Sequence, residues 1–144
     1  MTTTPDSIAE PSRPDRVLYI EDNPVNSTLM EAMLEVLPGV QLHCAATAAQ
    51  GLAMAEGEPP RLILLDIQMP DLDGFEVLAR LRRCPATLAI PVIAVTGQAG
   101  PQDIARGRSA GFAAYLTKPL HLHALLQAVC DALGRPLPGM LLSR

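Results

Sequence analysis

A chain of 144 residues has room for one domain with a core of its own, which excludes a second folded module. With 49% hydrophobic and 18% charged residues it is too apolar to be disordered throughout, and 3% aromatics with no Trp make the core aliphatic. A net charge of −4 excludes a general nucleic-acid binder, whose surface would be basic, and suits a site that gathers carboxylates.

Residues 1–15 hold Pro5, Pro11 and Pro14 among small polar and acidic residues, with Ile8 the only large aliphatic after Met1, and read as a disordered tail. Val17–Ile20 is the first strand. Asn23 then caps a helix with Pro24 at its first position; Val25, Leu29, Met33 and Leu37, with Met30 and Leu34 beside them, read as one apolar stripe that Pro38 and Gly39 end. Val40–Cys44 is the second strand, and Thr47 opens an Ala-rich helix that carries Leu52 and ends at Gly57. Leu62–Leu65 is the third strand, and the helix after it begins near Asp73, which caps it, while Asp71 reads as solvated. That helix places Phe75, Leu78 and Leu81 inward and ends in Arg80, Arg82 and Arg83, a solvated cationic end that suits the helix dipole.

Pro91–Val95 is the fourth strand. The helix after it, roughly Pro101–Ala110, is the poorest of the five, because only Ile104 and a few alanines can face a core and Gly107 sits inside it; it is expected to be the most mobile. Ala113–Thr117 is the fifth strand, and a helix carrying Leu122, Leu125, Leu126, Val129 and Leu133 stops at Gly134. Residues 135–144 read as a C-terminal tail too short for an output domain. The expectation is therefore one α/β domain over 16–134, a flavodoxin-like (βα)₅ doubly wound parallel sheet in the order 2-1-3-4-5.

Cys44, Cys84 and Cys130 lack metal-ligand spacing and lie in apolar stretches, so buried thiols in a reducing compartment are expected, without a disulfide. The N-terminus has neither the positive start nor the apolar stretch of a secretory signal, and no run approaches the ~18 apolar residues of a membrane span. The expectation is a soluble, cytoplasmic protein.

In an open parallel sheet ligands bind outside the carboxyl ends of the strands, near the point where strand order reverses. The first strand exits into Glu21 and Asp22, the third into Asp66, the fourth into Thr96 and Gly97, and the fifth into Lys118 and Pro119. Three carboxylates aimed at one crevice repel one another unless a cation joins them. All-oxygen ligands with no His or Cys nearby point to Mg²⁺. Lys118 adds a cation and Thr96 a hydroxyl, which together suit a phosphoryl group, with Asp66 as the nucleophile that accepts it.

These residues resemble the receiver domain of two-component response regulators. The matching stretches are Leu18–Asn23, Leu64–Gly74, Val95–Thr96 and Tyr115–Pro119, in order and at the expected strand ends, and the resemblance covers about residues 16–134. Glu21–Asn26 looks in particular like receivers attached to hybrid sensor histidine kinases. The resemblance implies that Asp66 is the phospho-acceptor, that Asp22 holds Mg²⁺ directly and Glu21 through water, and that the Gln68 backbone carbonyl is a further ligand. It implies that Lys118 pairs with phosphoryl oxygens, with a cis bond to Pro119. It also implies that Thr96 and Tyr115 form a switch in which the hydroxyl moves to the phosphate and the ring turns inward.

Upstream the resemblance implies a histidine kinase or phosphotransfer protein, and downstream an unidentified protein target, with no nucleic acid and no membrane. Gly97 stands where the family has a small residue such as Ala or Ser. Gln68 and Gln98 occupy positions that in this family tune loss of the phosphoryl group, and neither is acidic, so a long-lived aspartyl phosphate is expected. Two other readings remain open at this point. One is an aspartate-nucleophile phosphatase or phosphotransferase, which needs a second acid two residues after the nucleophile, where Gln68 stands. The other is a receiver-like interaction module that is never phosphorylated. His121 and His123 fall on different sides of a helix and read as solvated or capping residues.

Overall fold

The computed structural model describes residues 13–97 and 100–139, so residues 1–12, 98–99 (Gln98 and Ala99) and 140–144 lie outside it. Short aliphatic runs separated by helix-period segments bury themselves as strands covered on both faces. These are β1 (Asp15–Ile20), β2 (Val40–Ala45), β3 (Leu62–Asp66), β4 (Val92–Thr96) and β5 (Ala114–Thr117). The helices are α1 (Pro24–Leu34), α2 (Ala48–Gly57), α3 (Gly74–Arg83), α4 (Pro101–Ala110) and α5 (Leu122–Leu133). All four strand pairings are parallel, in the order β2-β1-β3-β4-β5, as expected. Ile20 pairs with Leu65, Asp66 with Val95 and Thr96 with Thr117, so the exits of β1, β3, β4 and β5 form one edge.

Every residue of β3 and β4 is buried. On one face Leu18, Ile20, Ile63 and Leu65 pack with Leu52 of α2, Leu78 and Leu81 of α3, and Phe112. On the other, Val17, Tyr19, Leu64 and Ile93 pack with Met30 and Leu34 of α1 and with Leu125 and Val129 of α5. Each fully buried Leu or Ile contributes about 2 kcal/mol, so the sheet edge that carries the polar groups rests on a rigid base.

Most helix ends are where the sequence puts them. Asn23 Oδ1 accepts the Val25 N–H at 2.9 Å, Thr47 Oγ1 accepts the Gln50 N–H at 3.0 Å, and Asp73 Oδ1 accepts the Phe75 N–H at 2.9 Å. α1 differs in two ways. It ends at Leu34, and Glu35–Pro38 form a turn. Its apolar residues are not one stripe, because Met30, Leu34 and Leu37 are buried while Val25 is 72% and Leu29 52% exposed. An i, i+4 row advances about 40° per step on a 3.6-residue turn, so a row begun at Val25 has rotated far off the buried face.

Three smaller expectations also change. Cys130 is buried and Cys84 partly so, but Cys44 is exposed, because β2 is the outer strand and is only partly covered. Arg82 is not simply a solvated end: its Nη1 donates to the carbonyls of Leu88 at 3.1 Å and Ile90 at 2.9 Å, tying α3 to the turn before β4. Asp71 is exposed but not merely solvated, since its oxygens accept the Ala48 and Ala49 N–H groups at 3.1 and 3.2 Å. It caps α2 from 23 residues away, which no local pattern reveals.

After α5, Arg135 donates to Asp15 Oδ2 at 3.3 Å and to the Pro38 carbonyl at 2.6 Å, and Leu137 joins the α1/α5 core. Among the described residues no helix is long and apolar enough to cross a membrane.

Candidate functional site

Glu21 and Asp22 leave β1, Asp66 ends β3, and the three offer carboxylate oxygens within 4.8 Å of one another. Glu21 is 2% and Asp66 4% exposed, whereas Asp22 is open to solvent. Burying two carboxylates side by side is costly unless each is compensated. Lys118, carried on the turn after β5, compensates both, donating to Glu21 Oε1 at 3.0 Å and to Asp66 Oδ2 at 3.3 Å. The Lys118–Pro119 bond is cis, as the resemblance implied. Asp66 Oδ1 accepts the Gln68 N–H at 2.9 Å, and Glu21 Oε2 accepts the Asn23 N–H at 3.1 Å.

The electrostatics follow from these contacts. Burial pushes the Asp66 carboxyl above its ordinary value and the Glu21 charge adds to this, outweighing the Gln68 N–H and Lys118. Glu21 is shifted the opposite way: burial alone would raise it, but hydrogen bonds from Asn23, Lys118 and Tyr19 together hold it below its ordinary value. Burial would lower Lys118, but Glu21 and Asp66 keep it above its usual range and fully charged. The cluster is thus one ammonium between two buried carboxylates, with a third exposed acid at its mouth. The donor set, three carboxylates with no His or Cys among them, fits a hard divalent cation.

The loops behind the cluster bring in the other residues singled out. Gly74 opens α3 against the exit of β3, where a Cβ would lie 2.5 Å from the Ile67 Cα. The Gln68 side-chain oxygen accepts the Thr96 hydroxyl at 3.3 Å and the Gly97 N–H at 3.2 Å. Thr96 is fully buried at the end of β4. Tyr115 packs against the core beside α4, and a Cβ on Gly107 would lie 2.7 Å from its Cε2. Gly107 therefore makes room for that ring. Burial and the Asp103 charge raise the Tyr115 phenol, against a hydrogen bond with Thr96 that lowers it. Arg106 lies 3.8 Å from the centroid of Phe75, whose edge meets Phe112, so α4 is joined to α3 through a cation held on an aromatic face.

Glu21, Asp22, Asp66, Gln68, Thr96 and Lys118 thus meet at one edge, with Tyr115 behind Thr96. His121 and His123 are exposed on α5 and its cap. One contact was missed: the Tyr19 hydroxyl donates to Glu21 Oε1 at 2.9 Å. The available signal was a tyrosine two residues before the first acid, on the same face of a strand otherwise aliphatic over Val17–Ile20.

Comparison with known proteins places this arrangement. The family profile for the response regulator receiver domain matches residues 17–130. PilH of Pseudomonas aeruginosa is 38% identical over 114 residues, covering 79% of this chain and 93% of PilH. The polar-differentiation response regulator DivK of Brucella anthropi is 34% identical over 121 residues, covering 84% and 98%. Some relatives are much longer: the chain spans 23% of the response regulator PleD of Caulobacter vibrioides. A solved receiver domain of a sensor histidine kinase from Pseudomonas aeruginosa, with a magnesium ion coordinated in its active-site cleft, superposes with a TM-score of 0.76 at 33% identity, covering 84% of this chain and 98% of that one.

Proposed function

The chain belongs to the response regulator receiver family, signalling domains of two-component systems, and from that premise we propose that it takes a phosphoryl group from a phosphohistidine onto Asp66 and thereby switches a protein-interaction surface. The observation that carries the reading is the Lys118 ammonium held between Glu21 and Asp66, beside an exposed third acid.

Asp66 attacks phosphorus with one carboxylate oxygen while the P–N bond to the donor imidazole breaks, and the imidazole keeps the electron pair. The Gln68 N–H on Oδ1 and Lys118 on Oδ2 orient the carboxylate before reaction. Lys118 can then follow the negative charge onto the phosphoryl oxygens at little cost in reorganisation. Glu21, Asp22, Asp66 and the Gln68 carbonyl are the groups that would hold Mg²⁺, which when bound neutralises charge on the transferred group. The added charge draws the Thr96 hydroxyl, and the Tyr115 ring follows it, altering the surface formed by α4, β5 and α5.

Upstream we assign a histidine kinase or histidine phosphotransfer protein, and downstream a protein target. Gln68 offers no leaving-group acid, which favours self-modification over turnover of an external phosphate ester.

The test is to incubate the protein with a small phospho-donor and Mg²⁺ and follow its mass, and to record amide exchange with beryllium fluoride. One phosphoryl group should be gained, Asp66→Asn should gain none, and exchange over residues 97–118 should change. A modified Asp66→Asn, or repeated turnover of phosphate monoesters, sinks the reading.

A further inference from the structure

Among the buried residues at the sheet edge, Tyr19 has no part in the chemistry just described, and its position is unusual. Side chains two apart on a strand share a face, so Tyr19 and Glu21 both lie toward the α1/α5 side. The ring is 1% exposed and packs among Val17, Met30 and Leu64. Its hydroxyl reaches past the end of β1 to Glu21 Oε1 at 2.9 Å. The geometry points to Tyr19 as a positioning residue for the cation site, fixing the Glu21 carboxylate when Lys118 shifts to the phosphoryl group. This rests on reading Glu21, Asp22 and Asp66 as that site.

The argument is an account of donors. A carboxylate offers about four lone-pair positions. On Glu21, Oε1 accepts from Tyr19 and from Lys118, and Oε2 accepts from the Asn23 N–H, so one position on Oε2 is left for a cation or its water. The Asn23 N–H is fixed by the chain. Lys118 is shared with Asp66 and is the group the transfer reaction draws away. Without Tyr19, Oε1 would then be buried with no donor, a state that costs enough to rotate the carboxylate.

The phenol suits the task. A tyrosine hydroxyl is a hydrogen-bond donor throughout the neutral pH range, and here it is aimed at Glu21 Oε1 at 2.9 Å. Its ring is locked in the core and cannot follow Lys118. Changing a group that orients a metal-binding side chain typically costs about 10- to 100-fold in metal affinity.

The experiment is a Mg²⁺ titration of the full chain in the presence of beryllium fluoride, which takes the place of the phosphoryl group and draws Lys118 off Glu21, by calorimetry and by amide chemical shifts, for wild type, Tyr19→Phe, Glu21→Gln and the double variant. Tyr19→Phe removes a single heavy atom, and its amide spectrum without Mg²⁺ reports folding separately. The expected result is about tenfold weaker Mg²⁺ binding for Tyr19→Phe when Glu21 is present, and no effect of the same change in the Glu21→Gln background. Equal affinities for wild type and Tyr19→Phe overturn the role of Tyr19 and leave the cation site standing. Equal losses in both backgrounds also overturn it, since the hydroxyl would then be acting on the fold rather than through Glu21. A wild-type protein that binds no Mg²⁺ overturns the cation site itself, and Tyr19 with it.

Discussion

The side-chain oxygen of Gln68 accepts the Thr96 hydroxyl at 3.3 Å and the Gly97 N–H at 3.2 Å, so the loop after β3 is tethered to the end of β4. If phosphorylation draws the Thr96 hydroxyl toward Asp66, one of these bonds must break first. Gln68→Ala keeps the backbone carbonyl and removes the tether. Since a hydrogen bond contributes about 1 kcal/mol net, beryllium fluoride should bind about fivefold more tightly to the variant. Unchanged or weaker binding by titration would show that the tether does not oppose the switch.

Gln68 supplies no carboxylate to activate water against the acyl phosphate. Isotope-labelled phosphate should therefore persist on the purified protein well beyond seconds, and Gln68→Glu should shorten its life. Loss of label from the wild type within seconds contradicts this.

Gly107 gives way to the Tyr115 ring, and any larger residue must displace it. Gly107→Ala gains about 1 kcal/mol of helix propensity but forces overpacking that costs about 1–3 kcal/mol. The expected net result is a lower thermal midpoint, together with a Tyr115 ring moved outward as read from its aromatic NMR signals. A stabilised variant with unchanged Tyr115 signals would mean that the ring yields freely.

Asp71 holds the first N–H groups of α2 from the loop that follows Asp66. Asp71→Ala should cost about 1 kcal/mol, in line with a lost helix cap, and should speed amide exchange at Ala48 and Ala49. Unaltered exchange there would remove the cap from the account.

The pH dependence of stability follows from the direction of each shift. Glu21 and Asp71 lie below their ordinary values of 4.5 and 3.8, so their contributions are present above those values and are lost as pH falls through the lower folded ones. The exposed Asp71 carries the smaller part. Asp66, raised above 3.8, acts the other way: ionised it costs stability, and taking its proton in acid recovers some. Lys118, raised above 10.5, stabilises fully below that value, and its contribution disappears as pH rises through the higher folded value. Denaturant unfolding should show a plateau from neutral pH upward, an alkaline decline that Lys118→Met lessens and that the raised Tyr19 and Tyr115 phenols share, and an acid decline softened by Asp66.

The sheet and the polar edge were readable because both are local. A four-residue aliphatic run such as Leu62–Leu65, bounded by Pro59-Pro60 before it and a polar residue after it, is too short for a helix and reads as a covered strand whose exit faces the crevice. What escaped depends on partners distant in the chain or on angle. Val25 and Leu29 have the spacing of a buried row, but helix rotation turns them outward. Asp71 looks idle until α2 is folded beside it. Gly107 reads as a weakness in α4, whereas in three dimensions it is the space that Tyr115 fills. Tyr19 resembles any strand aromatic until its hydroxyl is traced to Glu21.

Asp15 opens β1 and Arg135 follows α5, and the ion pair between them at 3.3 Å joins positions 120 residues apart. The path into the domain and the path out of it therefore meet at one point, at the sheet edge away from Asp66. A unit whose ends touch can be spliced into another chain, or its ends linked and a new opening cut elsewhere, without stretching the sheet. Fusion partners carried there would also stand clear of the phosphoryl site, so the same fold can work alone or as one link in a larger assembly.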